Sequence, residues 1–212
     1  MIWYPIHKCQ EKVWLIIKYI YFIIIVTLDS FADLMLNEFN LARTQPSKYI
    51  ERVQSYIKYI KPNPEYNKKT YLLQYMFDKE GVPKVALLRG EEAFNEFIAF
   101  LSTAPPLEPL QLKQEIAIKP LSKTELQTKR EVIADLYIKK KKELGDTYKV
   151  LDFHYDYGTN NYEISSLLQL VDDNNSNKQR RNKILNPEYK YVGISLAKIK
   201  SNRFCVYVTF AN

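Results

Sequence analysis

Histidine and cysteine are almost absent from this chain, with two of each in 212 residues, and there are only five glycines. His7 and Cys9 stand at the very start, ahead of an apolar run, so the remainder holds one histidine, His154, and one cysteine, Cys205. A lone cysteine excludes a disulfide framework within the chain. Cys205 therefore reads as a small buried hydrophobe on a strand, with pairing between chains as the alternative. A lone histidine excludes a two-histidine zinc site built by one chain and so counts against zinc-assisted hydrolysis. The few glycines form neither a phosphate-cradling loop nor the Gly-x-Ser-x-Gly elbow that exposes a nucleophilic serine. A Cys205–His154 dyad has the right residue types, but nothing around Cys205 would activate it. His154, between Phe153 and Tyr155, reads as a structural or surface residue. The chain is expected to be no enzyme and to carry no cofactor, an enzyme with an unrecognised site being the alternative.

What is present is ordinary for one folded domain: 46% hydrophobic and 26% charged residues, too apolar for disorder. The formal charge is +7, and residues 33–212 keep +6 of it. Such a basic surface favours anionic partners such as acidic lipid or glycan. No base-reading motif is present, so nucleic acid is not an expected partner.

Lys8 and Lys12 precede an apolar run over Val13–Leu28 that only Lys18 interrupts, and Ser30-Phe31-Ala32 follows it. A basic start, a short apolar core and a small-residue end make a secretory signal peptide. A spanning helix needs about 20 apolar residues, more than this run supplies. Residues 1–32 are thus read as a signal peptide or, if retained, a membrane anchor. Residues 33–212 are read as the folded domain.

Apolar residues at helical spacing predict a helix over Asp33–Arg43 and a second from Pro46, with Tyr49, Ile50, Val53, Ile57 and Ile60 on its stripe. Residues 61–70 read as a polar loop. Gly90 opens a third helix, carrying Phe94, Phe97, Ile98 and Leu101, which Pro105-Pro106 ends. Ser122 and Glu125 form a capping box for a fourth helix, with Leu126, Ile133, Leu136 and Tyr137. That helix ends in Lys139–Lys142, read as a solvated helix end suited to the dipole, with a lipid-binding patch as the alternative. Ile164, Leu167, Leu168 and Val171 mark a short helix closed by Asp172-Asp173. The period then changes to two: Val192, Ile194, Leu196 and Phe204, Val206, Val208, Phe210 predict a closing hairpin around Lys200-Ser201-Asn202. Helices first and an antiparallel pair last argue for an α+β fold.

Two stretches carry a family resemblance. One is Leu36-Asn-Glu-Phe-Asn-Leu-Ala-Arg43 with Pro46. The other is Leu168-Gln-Leu-Val-Asp-Asp173, Arg181, Ile184-Leu-Asn-Pro187 and Tyr189-Lys-Tyr-Val-Gly-Ile194. Together with Glu91–Leu110 and the closing strand Phe204–Ala211, they resemble the CAP superfamily (cysteine-rich secretory proteins, antigen 5 and pathogenesis-related 1) in its SCP-like extracellular branch. Residues 113–160 match poorly. The resemblance implies an α-β-α sandwich, with helices on both faces of a small antiparallel sheet. It also implies secretion, and a cleft where two histidines and two acids hold a divalent metal such as zinc.

This chain departs from that pattern at the metal. The branch has Gly-His-Arg where, counting back from Asn186-Pro187, this sequence has Gln179-Arg180-Arg181. A guanidinium has no lone pair to give a metal and repels it. Glu163 matches the acid of the family's Gly-Glu-Asn-Ile element, without its Gly and Asn. The expected site is therefore a binding cluster of Glu163, Asp172, Asp173, Arg180 and Arg181, in which an arginine fills the metal position and pairs with Glu163 or an Asp. These residues are otherwise separate surface charges. The resemblance implies a non-catalytic binding protein, with lipid, sterol, or a cell-surface or host protein as partner classes; a membrane-tethered interaction domain is the alternative.

Overall fold

The computed structural model describes residues 31–63, 70–73, 85–121, 131–149, 151–159, 161–200 and 203–212. The apolar run Val13–Leu28 and the Ser122–Glu125 capping box lie outside these residues. No helix among the described residues is long and apolar enough to cross a membrane.

Residues 31–44 form helix α1, whose stripe of Met35, Phe39 and Ala42 is fully buried. The helix already includes Phe31, whose ring lies 6.4 Å from Tyr162 and 5.7 Å from Phe204, so a boundary after residue 32 falls within a packed helical turn. Pro46 stands in the first turn of α2 (Pro46–Ile57), where its missing N–H costs nothing. Tyr49, Val53 and Tyr56 bury that helix against the core. The expected stripe ran on to Ile60, but α2 stops at Ile57 and Ile60 opens strand β1 (Ile60–Pro62). This strand pairs with β2 (Tyr71–Leu73), which pairs with β3 (Val85–Leu87), all antiparallel. Part of the expected polar loop is thus a strand, its backbone donors satisfied by segments that no local pattern announces.

Gly90 precedes α3 (Glu91–Thr103) at φ +59°, and a Cβ there would lie 2.5 Å from the Tyr71 ring. Glycine meets both demands. Glu91 and Glu92 then favour the positive end of the helix dipole, and the chain leaves the helix extended at Ala104, as Pro105 requires.

The larger sheet has the order β4 (Gln111–Leu112), β6 (Tyr191–Lys200), β7 (Arg203–Ala211), β5 (Leu151–Thr159). The expected hairpin is β6–β7, with Ile194 opposite Val208. β4 runs parallel to β6, while β5 joins the far edge of β7 antiparallel. Between these strands come α4 (Glu131–Leu144), α5 (Tyr162–Val171) and α6 (Gln179–Ile184).

Period-two alternation splits the sheet into two faces. Val192, Ile194, Val206, Val208 and Phe210 join the main core with α1, α2, α3 and α5. Ala197, Cys205 and Tyr207 face the other way, against Ile118, Leu121 and Leu136 and Tyr137 of α4. Helix α4 thus packs on the second face, and the α+β reading holds. At Gly193 the turn after β4 crosses the sheet so closely that a Cβ would sit 2.5 Å from the Ala117 nitrogen. Cys205 is buried as expected, and burial pushes its thiol up to about 11, far from a reactive thiolate.

Candidate functional site: a corner closed by Arg180

Helix α5 sets the corner. Asn161 caps its start, accepting from the Ile164 N–H at 2.9 Å. Its end is fixed by Asp172, which takes a left-handed conformation (φ 52°) tolerated by aspartate, and donates its N–H to the Leu168 carbonyl at 2.9 Å. This turn carries the Asp172 carboxylate inward, its side chain 0% exposed. A buried carboxylate needs partners on both oxygens. The Arg180 N–H meets one at 2.9 Å and the Arg180 Nε the other at 2.8 Å.

Arg180 also pairs through Nη1 with Asp156 on β5, tying the end of α5 to the sheet through α6. Burial works against its charge, but the Asp156 and Asp172 carboxylates outweigh that and hold its pKa above the usual arginine value. One guanidinium against two carboxylates is a closed contact that keeps a net negative charge, not an open anion site.

His154 lies on the same face of β5 as Asp156, two residues away. It is buried, not on the surface, and its Nε2 stands 2.8 Å from Gln169 Oε1 of α5. Gln169 Oε1 is an acceptor, so Nε2 carries the proton and Nδ1 the lone pair. Burial pulls the pKa of His154 down to about 3, with Gln169 opposing and Lys183 and Arg180 adding to the fall. It stays neutral across the physiological range.

The remaining expected site residues go elsewhere. Arg181 donates to the Leu170 and Val171 carbonyls at 2.9 and 2.8 Å, satisfying the free carbonyl end of α5. Its third contact is Glu96 at 3.2 Å, and its guanidinium lies 4.9 Å from the Phe97 ring. Asp173 accepts from the Leu88 and Arg89 N–H groups, pinning the turn between β3 and α3. Glu163 accepts from the Tyr56 hydroxyl at 2.8 Å and lies 3.9 Å from Arg52, which is bonded to Glu38 of α1. Nine residues of helix separate Glu163 from Asp172, about 13 Å along the axis. The expected five-residue cluster is therefore corrected to Arg180 and Asp172. Glu163 and Asp173 cannot join it, because helix geometry sets the first at the opposite end and the tight turn aims the second at α3.

Comparison of the chain with family models, with curated proteins and with solved structures finds no match.

The donor set does not fit the metal that the resemblance implies. No group of three His, Cys, Asp or Glu side chains among the described residues is arranged to hold an ion. The carboxylates that could contribute, Asp156 and Asp172, are already joined by a cation. The imidazole nearby, His154, bonds Gln169 through Nε2 and would offer an ion one nitrogen, where the resemblance implies two histidines.

Asp156 is the partner that sequence reasoning missed. Its signal lay in the alternation of Phe153 and Tyr155 against His154 and Asp156, which marks a strand with polar residues on its inner face. A second missed feature is Arg43. Buried to 1% exposure, it donates from Nε to the Glu108 carbonyl and from Nη1 and Nη2 to the carbonyls of Ile184, Asn186 and Tyr189. Burial lowers its pKa to about 10, still charged at neutral pH. Beside it, Asn40 exchanges two bonds with Leu110, at 3.0 and 2.7 Å.

Proposed function

We propose that this chain is an SCP-like member of the CAP superfamily, an α-β-α sandwich exported by residues 1–32, and that it acts by binding rather than by chemistry. Support for the family comes from Arg43 and Asn40. Arg43 of the Leu36–Arg43 stretch donates to backbone in Ile184–Tyr189, so the two stretches that carry the resemblance meet in one buried contact. Glu108 and Leu110, from the third matching stretch, join the same junction.

The observation that carries the non-catalytic reading is Arg180 between Asp172 and Asp156. A cation occupies the place of a metal-binding histidine and consumes the local carboxylates. The histidine beside it is neutral and buried, with Nε2 bonded to Gln169.

A lipid or sterol is the partner class with a place to go. A hollow of about 310 Å³ lies among α1, α3 and the Leu185–Pro187 loop, lined by Ala42, Phe100, Leu101, Ala104 and Leu107. That volume is at the low end of small-molecule sites, which are mostly apolar with few polar groups. Phe100 stands 40% exposed at its edge.

The test is native mass spectrometry of the full chain secreted from a eukaryotic host. A lipid adduct lost in Phe100→Asp, on a mass lacking about 32 residues, is the expected result. A metal adduct, or turnover of a substrate abolished by His154→Gln, overturns the binding reading. Retention in the membrane at full mass replaces secretion by tethering.

A further inference from the structure

The face of the sheet opposite Arg180 carries a second hollow, of about 470 Å³, between α4 and the stretch 114–120. Leu136, Lys139, Lys140 and Glu143 line it from the helix. Their spacing of i, i+3, i+4 and i+7 is that of a single helical face. Lys119 and Ser195 line it from the other side.

The run Lys139–Lys142 is thereby divided. Lys141 and Lys142 stand in the last turn of α4, where the helix dipole accounts for them. Lys139 and Lys140 line the hollow instead. Lys140 is fixed in place, its ammonium 3.1 Å from the Glu115 carbonyl and 3.2 Å from Glu143. Lys119 and Lys139 are exposed and form no ion pair among the described residues. Among the described lining residues, three ammonium groups against the carboxylate of Glu143 leave two positive charges around one concavity. Ile118 and Leu136 add apolar surface to its lining, which lowers the local dielectric and strengthens attraction for an anion.

We infer that this hollow is a binding site for a phosphate monoester. The doubly charged group matches the excess charge, and lysine ammonium groups serve as point-charge partners for phosphate. A volume of this size takes a compact headgroup or sugar phosphate and leaves no room for a folded polymer. The site stands apart from the Arg180 corner and does not depend on the family reading.

The experiment uses the full chain and two probes: glycerol 3-phosphate followed by calorimetry, and phosphatidylcholine vesicles with or without phosphatidic acid followed by co-sedimentation. Lys119→Glu/Lys139→Glu is expected to weaken binding at least about tenfold. Lys48→Glu/Lys61→Glu, with the same net charge on another part of the surface, is expected to change it little. Glu143→Gln, which removes the carboxylate that lines the hollow among the described residues, is expected to tighten it. Thermal midpoints of the variants confirm that all of these exposed substitutions leave the fold intact. Binding to acidic vesicles that the first variant loses identifies a lipid headgroup as the source; binding to glycerol 3-phosphate alone identifies a soluble ester. Equal weakening by both double variants, or no binding of either probe, overturns the assignment.

Discussion

Arg180 grips Asp172 twice, with its backbone N–H on one carboxylate oxygen and its side-chain Nε on the other. The same residue supplies a backbone donor and a compensating charge across the turn that follows Asp172. Asp156 then draws the guanidinium onto the sheet. A corner of this kind is stable only while its cation is present, because both carboxylates were desolvated around it.

Removal of that cation is expected to cost far more than a surface ion pair. Arg180→Met leaves Asp172 buried and half-satisfied, and should lower stability by about 3–5 kcal/mol. Urea denaturation followed by circular dichroism measures this. A loss below about 1 kcal/mol, the range of exposed pairs, would show that the corner is solvated.

His154 gives the fold an acid sensitivity with a defined window. Its pKa falls from an ordinary 6.5 unfolded to about 3 folded, so the unfolded chain binds the extra proton first. Its contribution is complete above pH 6.5 and is lost as the pH falls toward 3. Glu38 acts in the opposite sense: burial raises its pKa against the pull of Arg52, so acid favours its folded form. The difference between wild type and His154→Gln isolates the imidazole. Between pH 7 and pH 5 the wild type is expected to lose about 2 kcal/mol more than the variant. Parallel pH profiles would contradict the buried, neutral assignment.

Gly193 is expected to resist any side chain. A Cβ would meet backbone at Ala117 rather than the movable tip of a side chain. Gly193→Ala should therefore cost about 1–3 kcal/mol, in the range of overpacked cores. Differential scanning calorimetry tests this, and an unchanged midpoint would mean that the turn after β4 does not cross the sheet there.

Arg43 should not be replaceable by lysine. Its flat fork reaches four carbonyls in different directions, which a single ammonium cannot match. Arg43→Lys is expected to lose about 2 kcal/mol or more, from acceptors left without donors. Near-neutral behaviour in denaturant unfolding would remove the junction that supports the family reading.

The elements legible in the sequence were those with a strong period and a clear stop. Helices α1 and α3 follow their apolar stripes, and Pro46, Gly90 and Pro105 stand at the boundaries they forced. The β6–β7 hairpin shows its alternation openly. Strand β5 did not, because its inward face carries His154 and Asp156 where an apolar alternation would have been expected. Short β1, β2 and β3 depend on pairing across distant segments, which no local pattern encodes. In the site, adjacency in sequence misled: Asp172 and Asp173 are neighbours, yet a left-handed turn sends one to Arg180 and the other to α3. Arg180 and Arg181 part in the same way, one toward the sheet and one onto the end of α5.

The most direct test of binding without metal chemistry is a zinc titration of the full chain by calorimetry, with elemental analysis of the dialysed product. The expected result is no stoichiometric uptake and no shift of the unfolding midpoint in excess zinc, since an ion held only by the folded state would raise it. One tightly held zinc per chain, lost in Asp172→Asn, would show that Arg180 yields its place and that the account of this corner is wrong.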